Sequence, residues 1–151
     1  MQIRSRAFTA ADAQAVAGWR YAAPYDVYAD RNMPRVWREE TPIRTLTDGK
    51  GAMCGFFCWA GEARIAAATD IYMSRPDALD FGIGLAPEWT GKHAGLFACE
   101  HALAWLRAAF SPPCFRLAVY DWNGRARRVY ERLGCMMFAQ RGEFVMMHRD
   151  E

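Results

Sequence analysis

Between residues 96 and 110, Leu96, Cys99, Leu103, Leu106 and Phe110 recur at spacings of three and four. That period lays them on one face of an amphipathic helix, and Ser111-Pro112-Pro113 stops it. A second helical pattern runs from Asn123, a side chain suited to an N-cap, through Ala126, Val129 and Leu133 to a stop at Gly134. Near the N-terminus, Thr9-Ala-Ala-Asp12 has the spacing of a capping box with Asp in place of Glu and predicts a helix over 10–20. A weaker pattern suggests a short helix near 34–40. Strands are predicted over 2–8, in "AMCGFFCWA" and "ARIAAATDIYM" as a hairpin about Gly61-Glu62, in "ALDFGIGLA", and in "CFRLAVY". The tail, "CMMFAQ" and "EFVMMHR" split by Arg141-Gly142, reads as a final hairpin. Glycines at 82 and 84 inside the third strand mark a bulge or a close backbone approach, or a poorly packed edge. The order is β-α-(α)-β-β-β-α-β-α-β-β, and 151 residues with no linker or repeat predict one domain, 1–151.

Composition narrows the function classes. A net charge of +2 and a pI near 8.3 give no concentrated basic face for nucleic acid. No apolar run reaches the ~18 residues needed to cross a bilayer. The polar start, Met1 to Arg6, lacks the apolar core of a signal peptide, so a cytoplasmic protein without membrane partners is expected. Five cysteines, an odd number, suit reduced thiols better than a disulfide framework. His93, His101 and Cys99 follow no metal-ligand spacing and HExxH is absent, so no metal is expected.

The stretch Glu88–Phe97, "EWTGKHAGLF", combines glycines, a lysine and a helix entrance, a combination that suits an anion. Two phosphate motifs fail here. A P-loop would need glycine at Ala86 and Ser or Thr at His93, and a GxGxxG starting at Gly82 meets Pro87 where its last glycine belongs.

What remains resembles the acetyl-CoA loop of the GCN5-related N-acetyltransferases (GNAT), (Arg/Gln)-x-x-Gly-x-(Gly/Ala) after a strand and a Pro-Glu turn. "IGLAPEWTGKHAG" matches in the strand, Pro87-Glu88, Gly91 and Gly95, and departs at Thr90 and His93. "NGRARRVYERLGC" resembles the family's Asn-x-x-Ala-x-x-x-Tyr-x-x-x-Gly signature at Asn123, Ala126, Tyr130 and Gly134, with Cys135 replacing an aromatic. The two motifs span about 79–140. The resemblance implies an α/β (α+β) GNAT fold: a mixed, mostly antiparallel twisted sheet of about six to seven strands, helices on both faces, and a splayed strand pair at the CoA site. It implies an enzyme that uses acetyl-CoA to acetylate a primary amine, on a small molecule or a peptide, by direct attack in a ternary complex, with a homodimer as the default assembly. The competing reading is a non-catalytic acyl-CoA-binding sensor on the same fold.

The resemblance also assigns roles. Backbone amides from Gly91, Lys92, His93, Ala94 and Gly95 would receive the pyrophosphate, with Thr90 beside them in the cofactor loop, and main chain at Ile83 and Leu85 would bind the pantetheine or the thioester oxygen. His93 either hydrogen-bonds phosphate, narrows the loop or faces water. Asn123 and Tyr130 are seven residues apart, hence on one helix face about 10 Å apart along the axis. Asn123 would contact CoA as well as cap the helix, and Tyr130 is then a proton donor to the leaving thiolate or a core tyrosine. Arg125 meets the CoA 3′-phosphate or joins Arg127 and Arg128 on a solvated face. Asp80 is the first candidate base and Asp70 the second, each being otherwise a turn or surface acid. Trp19, Tyr21, Tyr25 and Tyr28 would wall the amine pocket or serve packing.

Overall fold

The computed structural model describes residues 1–31 and 37–151. Its strands are β1 (Arg4–Ala7), β2 (Ile43–Thr47), β3 (Met53–Trp59), β4 (Leu79–Leu85), β5 (Cys114–Tyr120), β6 (Met136–Arg141) and β7 (Phe144–Asp150). They form one seven-stranded sheet in the order β1-β2-β3-β4-β5-β7-β6, antiparallel everywhere except between β4 and β5. The helices are α1 (Ala10–Ala17), α2 (Tyr28–Arg31), α3 (Thr69–Ser74), α4 (Ala94–Phe110) and α5 (Gly124–Arg132).

Helices lie on both faces. Phe57, Phe81, Phe115, Leu117 and Met147 form one buried layer with Ala98, Ala102, Leu103 and Leu106 of α4. The two alanines let α4 sit close to the sheet, while Phe110, predicted on the buried face, is half exposed beside Trp59 and Trp105. On the opposite face α1 buries Val16 against Phe8, Phe56 and Cys58, and α3 buries Ile71 and Tyr72 against Met146.

The capping box at Thr9 forms with both of its hydrogen bonds, and α1 ends at Gly18, short of the expected residue 20. Asp12, the N3 residue, is buried and also receives Arg6 Nη1 at 2.6 Å and the Thr45 hydroxyl at 2.7 Å. Burial alone would raise its pKa, but bonds from Arg6, Thr45 and the Thr9 amide outweigh it and hold it at about 2. A depressed folded pKa stabilises above the unfolded value and loses that contribution as pH falls through the folded one. Asp12→Asn is therefore expected to unfold more easily than the parent at pH 7. The gap should narrow from about pH 4 and close near pH 2, as read by urea titrations at several pH values.

Two expectations need correction. "ARIAAATDIYM" is not a strand: Ala66–Ala68 is a 3-10 turn leading into α3, and the Ile65 amide donates to the Tyr72 hydroxyl at 3.0 Å. The hairpin about Gly61-Glu62 therefore does not exist. The hairpin partner of β3 is β2, joined through Asp48–Ala52, where the Asp48 carboxylate accepts the amides of Lys50 and Ala52. Of the helix expected near 34–40, residues 34–36 lie outside the described residues, while 37–38 are irregular and 39–40 form a turn, so no helix stands over 37–40.

Candidate active site

The parallel strands β4 and β5 pair only at Leu79–Phe115 and Asp80–Arg116. Beyond them β4 stays with β3 through Leu85 and β5 stays with β7 through Tyr120, so the sheet forks. The Ala86 amide bonds to the Cys54 carbonyl, and backbone direction alternates along a strand. The amides and carbonyls of Ile83 and Leu85 consequently turn from β3 into the fork. The Tyr21 hydroxyl, which donates to the Leu85 carbonyl at 2.6 Å, approaches from that side. Gly84 serves packing within this strand: a Cβ there would collide with the Phe56 ring, which lies across it.

Asp80 stands at the closed end of the fork and is 1% exposed. Arg116 donates to its two oxygens at 2.6 and 3.0 Å, and Arg64 adds a bond at 3.0 Å. Both oxygens are taken up by the two guanidiniums and the carboxylate is buried, so it has no free face for an incoming amine and the base role expected for Asp80 is withdrawn. Asp70 fares no better: it is an exposed α3 residue paired with Arg141 at 2.8 Å.

At the open end the chain runs from β4 through a 3-10 turn, Pro87–Trp89, into the loop before α4. The Thr90 hydroxyl donates to the Pro87 carbonyl at 2.7 Å, so this departure from the usual Arg or Gln ties the turn internally. Gly91 has φ +73° with open space where a Cβ would stand, so backbone conformation is what requires glycine. Lys92 and His93 are exposed, and His93, at φ 60°, is the N-cap of α4 without a side-chain capping bond. The first-turn amides, from Ala94 and Gly95 onward, thus have no intrahelical acceptor and sit at the positive end of a 17-residue helix. Ala94 is buried, and Gly95 packs toward Val129 of α5. A left-handed residue with a Cβ costs roughly 1–2 kcal/mol, partly offset because glycine loses more chain entropy on folding. His93→Gly is expected to stabilise the fold by about 0.5–1 kcal/mol in urea denaturation.

The other side of the fork is built by α5. Asn123 caps it, accepting the Ala126 amide at 3.1 Å, and its amide nitrogen donates to the Tyr28 hydroxyl at 2.8 Å. Tyr130 meets Phe81 of β4 edge-on, with ring centroids 6.2 Å apart. The Cys135 amide closes the helix end onto the Tyr130 carbonyl at 2.9 Å. Burial, reinforced by Cys99, Tyr28 and Cys135 nearby, pushes the Tyr130 phenol well above its ordinary pKa. Arg125 stacks its guanidinium 4.0 Å above the Tyr25 ring, and Arg127 donates to the Asp121 carbonyl.

The expected aromatic residues divide. Trp19 stacks on Phe56, within the cluster beneath α1. Tyr21 reaches β4, while Tyr25 meets Trp122 and Tyr28 meets both Tyr120 and Trp122. The segment from Tyr21 to Tyr28 therefore bridges the two arms of the fork. Sequence reading missed Tyr120 and Trp122; their position just before the Asn123 cap was the available signal.

A mixed sheet forked between its parallel strands, with an uncapped helix N-terminus at the mouth, defines the GNAT acetyltransferase fold. The profile of the Acetyltransferase (GNAT) family matches residues 13–135, and the chain belongs to that family. No curated protein sequence matches it. Solved structures are similar over 99% of this chain. Spermidine N-acetyltransferase from Vibrio cholerae in complex with CoA and spermine is 16% identical, with 95% of that chain covered and a TM-score of 0.67. Campylobacter jejuni N-acetyltransferase PseH in complex with acetyl coenzyme A is 10% identical, with 99% covered and a TM-score of 0.67. An acetyltransferase (GNAT family) from Bacillus anthracis is 14% identical, with 95% covered and a TM-score of 0.67. Among the described residues, no helix is long and apolar enough to cross a membrane.

Proposed function

We propose that this protein transfers an acetyl group from acetyl-CoA to the primary amine of a small molecule, both substrates being bound together in the fork. The observation that carries this reading is the convergence on one fork of outward-turned β4 backbone, the uncapped start of α4, and Tyr130. These groups fit the parts of CoA in order. The amides from Gly91 to Gly95 suit the pyrophosphate, Ile83 and Leu85 the pantetheine amides, and Tyr130 the sulfur. Acetyl-CoA supplies an activated thioester whose C–S bond breaks as the amine nitrogen bonds to the acetyl carbon.

Tyr130 gives its proton to the departing thiolate, and its raised pKa keeps that proton in place through the neutral range. With Asp80 and Asp70 held by arginines, the proton lost by the amine passes to water. Tyr21, Tyr25 and Tyr28 form the acceptor wall, and Tyr21 must release the Leu85 carbonyl for pantetheine to use it. Holding two reactants together supplies about 7–11 kcal/mol of the barrier in favourable cases. The Vibrio cholerae neighbour, named for spermidine and bound to spermine, supports a small amine as acceptor.

The test is free-thiol release from acetyl-CoA with a panel of amines, paired with direct CoA titration. Amine-dependent release above hydrolysis supports transfer. Binding of CoA with no release from any amine makes the protein an acyl-CoA sensor, and absence of CoA binding removes both readings.

A further inference from the structure

We propose that Cys114, His148 and Asp150 form a binding site for a transition-metal ion, Zn²⁺ being the best match, separate from the acetyl-transfer fork. The sulfur, an imidazole nitrogen and a carboxylate oxygen all lie within 4.8 Å of one another. Strand pairing brings them together: Cys114 of β5 faces Asp150 of β7, and His148 is two residues along β7, on the same sheet face. Tetrahedral Zn²⁺ with S, N and O donors needs ligand separations of roughly 3.3–3.8 Å, within reach of side-chain rotation. A thiolate with an imidazole selects a borderline ion such as Zn²⁺ over Mg²⁺ or Ca²⁺, and three protein ligands leave the fourth position to water.

The surroundings favour a defined site. Cys114 is 1% exposed, and His148 is held against the Phe138 ring with centroids 4.4 Å apart. Two contacts must give way: Arg75 Nη1 donates to Asp150 at 3.0 Å, and the Cys114 thiol donates to the Phe115 carbonyl at 3.3 Å. Arg116, on the same face, is committed to Asp80, and Arg149 turns to Leu133 and Glu151. Metal binding therefore exchanges one cation for another at Asp150: the ion displaces Arg75, and the Cys114 thiol releases its proton to water. The site lies at the start of β5, the opposite end of that strand from Tyr120 and the mouth of the fork. It joins β5 to β7 whether or not the acetyl-transfer reading holds.

The experiment titrates metal-free, reduced full-length protein with Co²⁺, then displaces it with Zn²⁺. The expected result is one equivalent bound, with a near-ultraviolet thiolate-to-cobalt band that Zn²⁺ abolishes. Cys114→Ser should remove the band and weaken Zn²⁺ at least about ten-fold, and His148→Ala should weaken Zn²⁺ by a similar factor while a thiolate band persists at saturating Co²⁺. Arg75→Gln should tighten binding several-fold, an effect that scattered surface ligands would not produce. Asp150→Asn, at an exposed position, tests the third ligand should Cys114→Ser fail to fold. The proposal is overturned by a band of undiminished strength in Cys114→Ser, which would place the metal on another cysteine. It is equally overturned by the absence of a thiolate band in the parent, or by Arg75→Gln binding no more tightly.

Discussion

Tyr130→Phe is expected to lower kcat for acetyl transfer by about 10²- to 10³-fold while leaving the Kd for CoA within about three-fold. General-acid assistance is worth roughly that factor when the donor is positioned at the leaving atom. Only the hydroxyl is removed: the ring that meets Phe81 edge-on is retained, so the helix seat and the groove width persist. The pH profile supplies a second signature. Because burial raises the phenol pKa, the protonated donor is present at every pH below that raised value and is lost only above it. Wild-type kcat should therefore show no alkaline fall assignable to Tyr130 below about pH 10. A purely structural tyrosine would give a different pattern, with Kd and melting temperature moving while kcat stayed within a few-fold. Stopped thiol-release assays, CoA titrations and thermal melts on one protein preparation separate the two.

The C-terminal half of this chain was legible because its local signals agree with its tertiary surroundings. Asn123 caps α5 as its residue type suggests, and the 3.6-residue period of α4 is fixed by one buried face. The segment from 42 to 75 misled for two reasons. β2 is only five residues long, and its turn signal, Asp48-Gly49, was the better hairpin cue than Gly61-Glu62. The alanine run 66–68 has no strand preference, and its conformation depends on Tyr72 reaching back to Ile65. The site divides likewise. Motif spacing located the glycine-bearing loop before α4 and the Asn123–Tyr130 face, but bonds formed across the sheet escape spacing altogether. Asp80 looked like a free strand acid because Arg64 and Arg116 reach it only after folding. Cys114, His148 and Asp150 are grouped by the pairing of β5 with β7, so their juxtaposition likewise has no spacing signature in the sequence.

Asp80→Ala is expected to destabilise the fold by about 3–5 kcal/mol, the usual consequence of stranding one partner of a buried ion pair. Arg116 is 2% exposed, and without Asp80 its guanidinium keeps only the carbonyls of Ile71 and Arg75 as acceptors. Arg64, nearer the surface, can turn toward water, so Arg116 bears most of the loss. The double variant Asp80→Ala/Arg116→Met, which removes the stranded charge, should recover a large part of the stability; a simple sum of two losses would contradict the mechanism. Urea titrations of the four-member cycle provide the measurement. The pair also explains where the fork begins. Asp80 and Arg116 are the last residues joined across β4 and β5, and their side chains clamp the strands from the α3 face as the backbones part. Weakening the clamp should therefore loosen the groove before it removes any group that touches substrate. Asp80→Asn, assayed at low temperature where it remains folded, is expected to raise the KM for acetyl-CoA more than it lowers kcat. A catalytic base would show the reverse, a collapse of kcat with KM nearly unchanged, and that result would restore Asp80 to the chemistry.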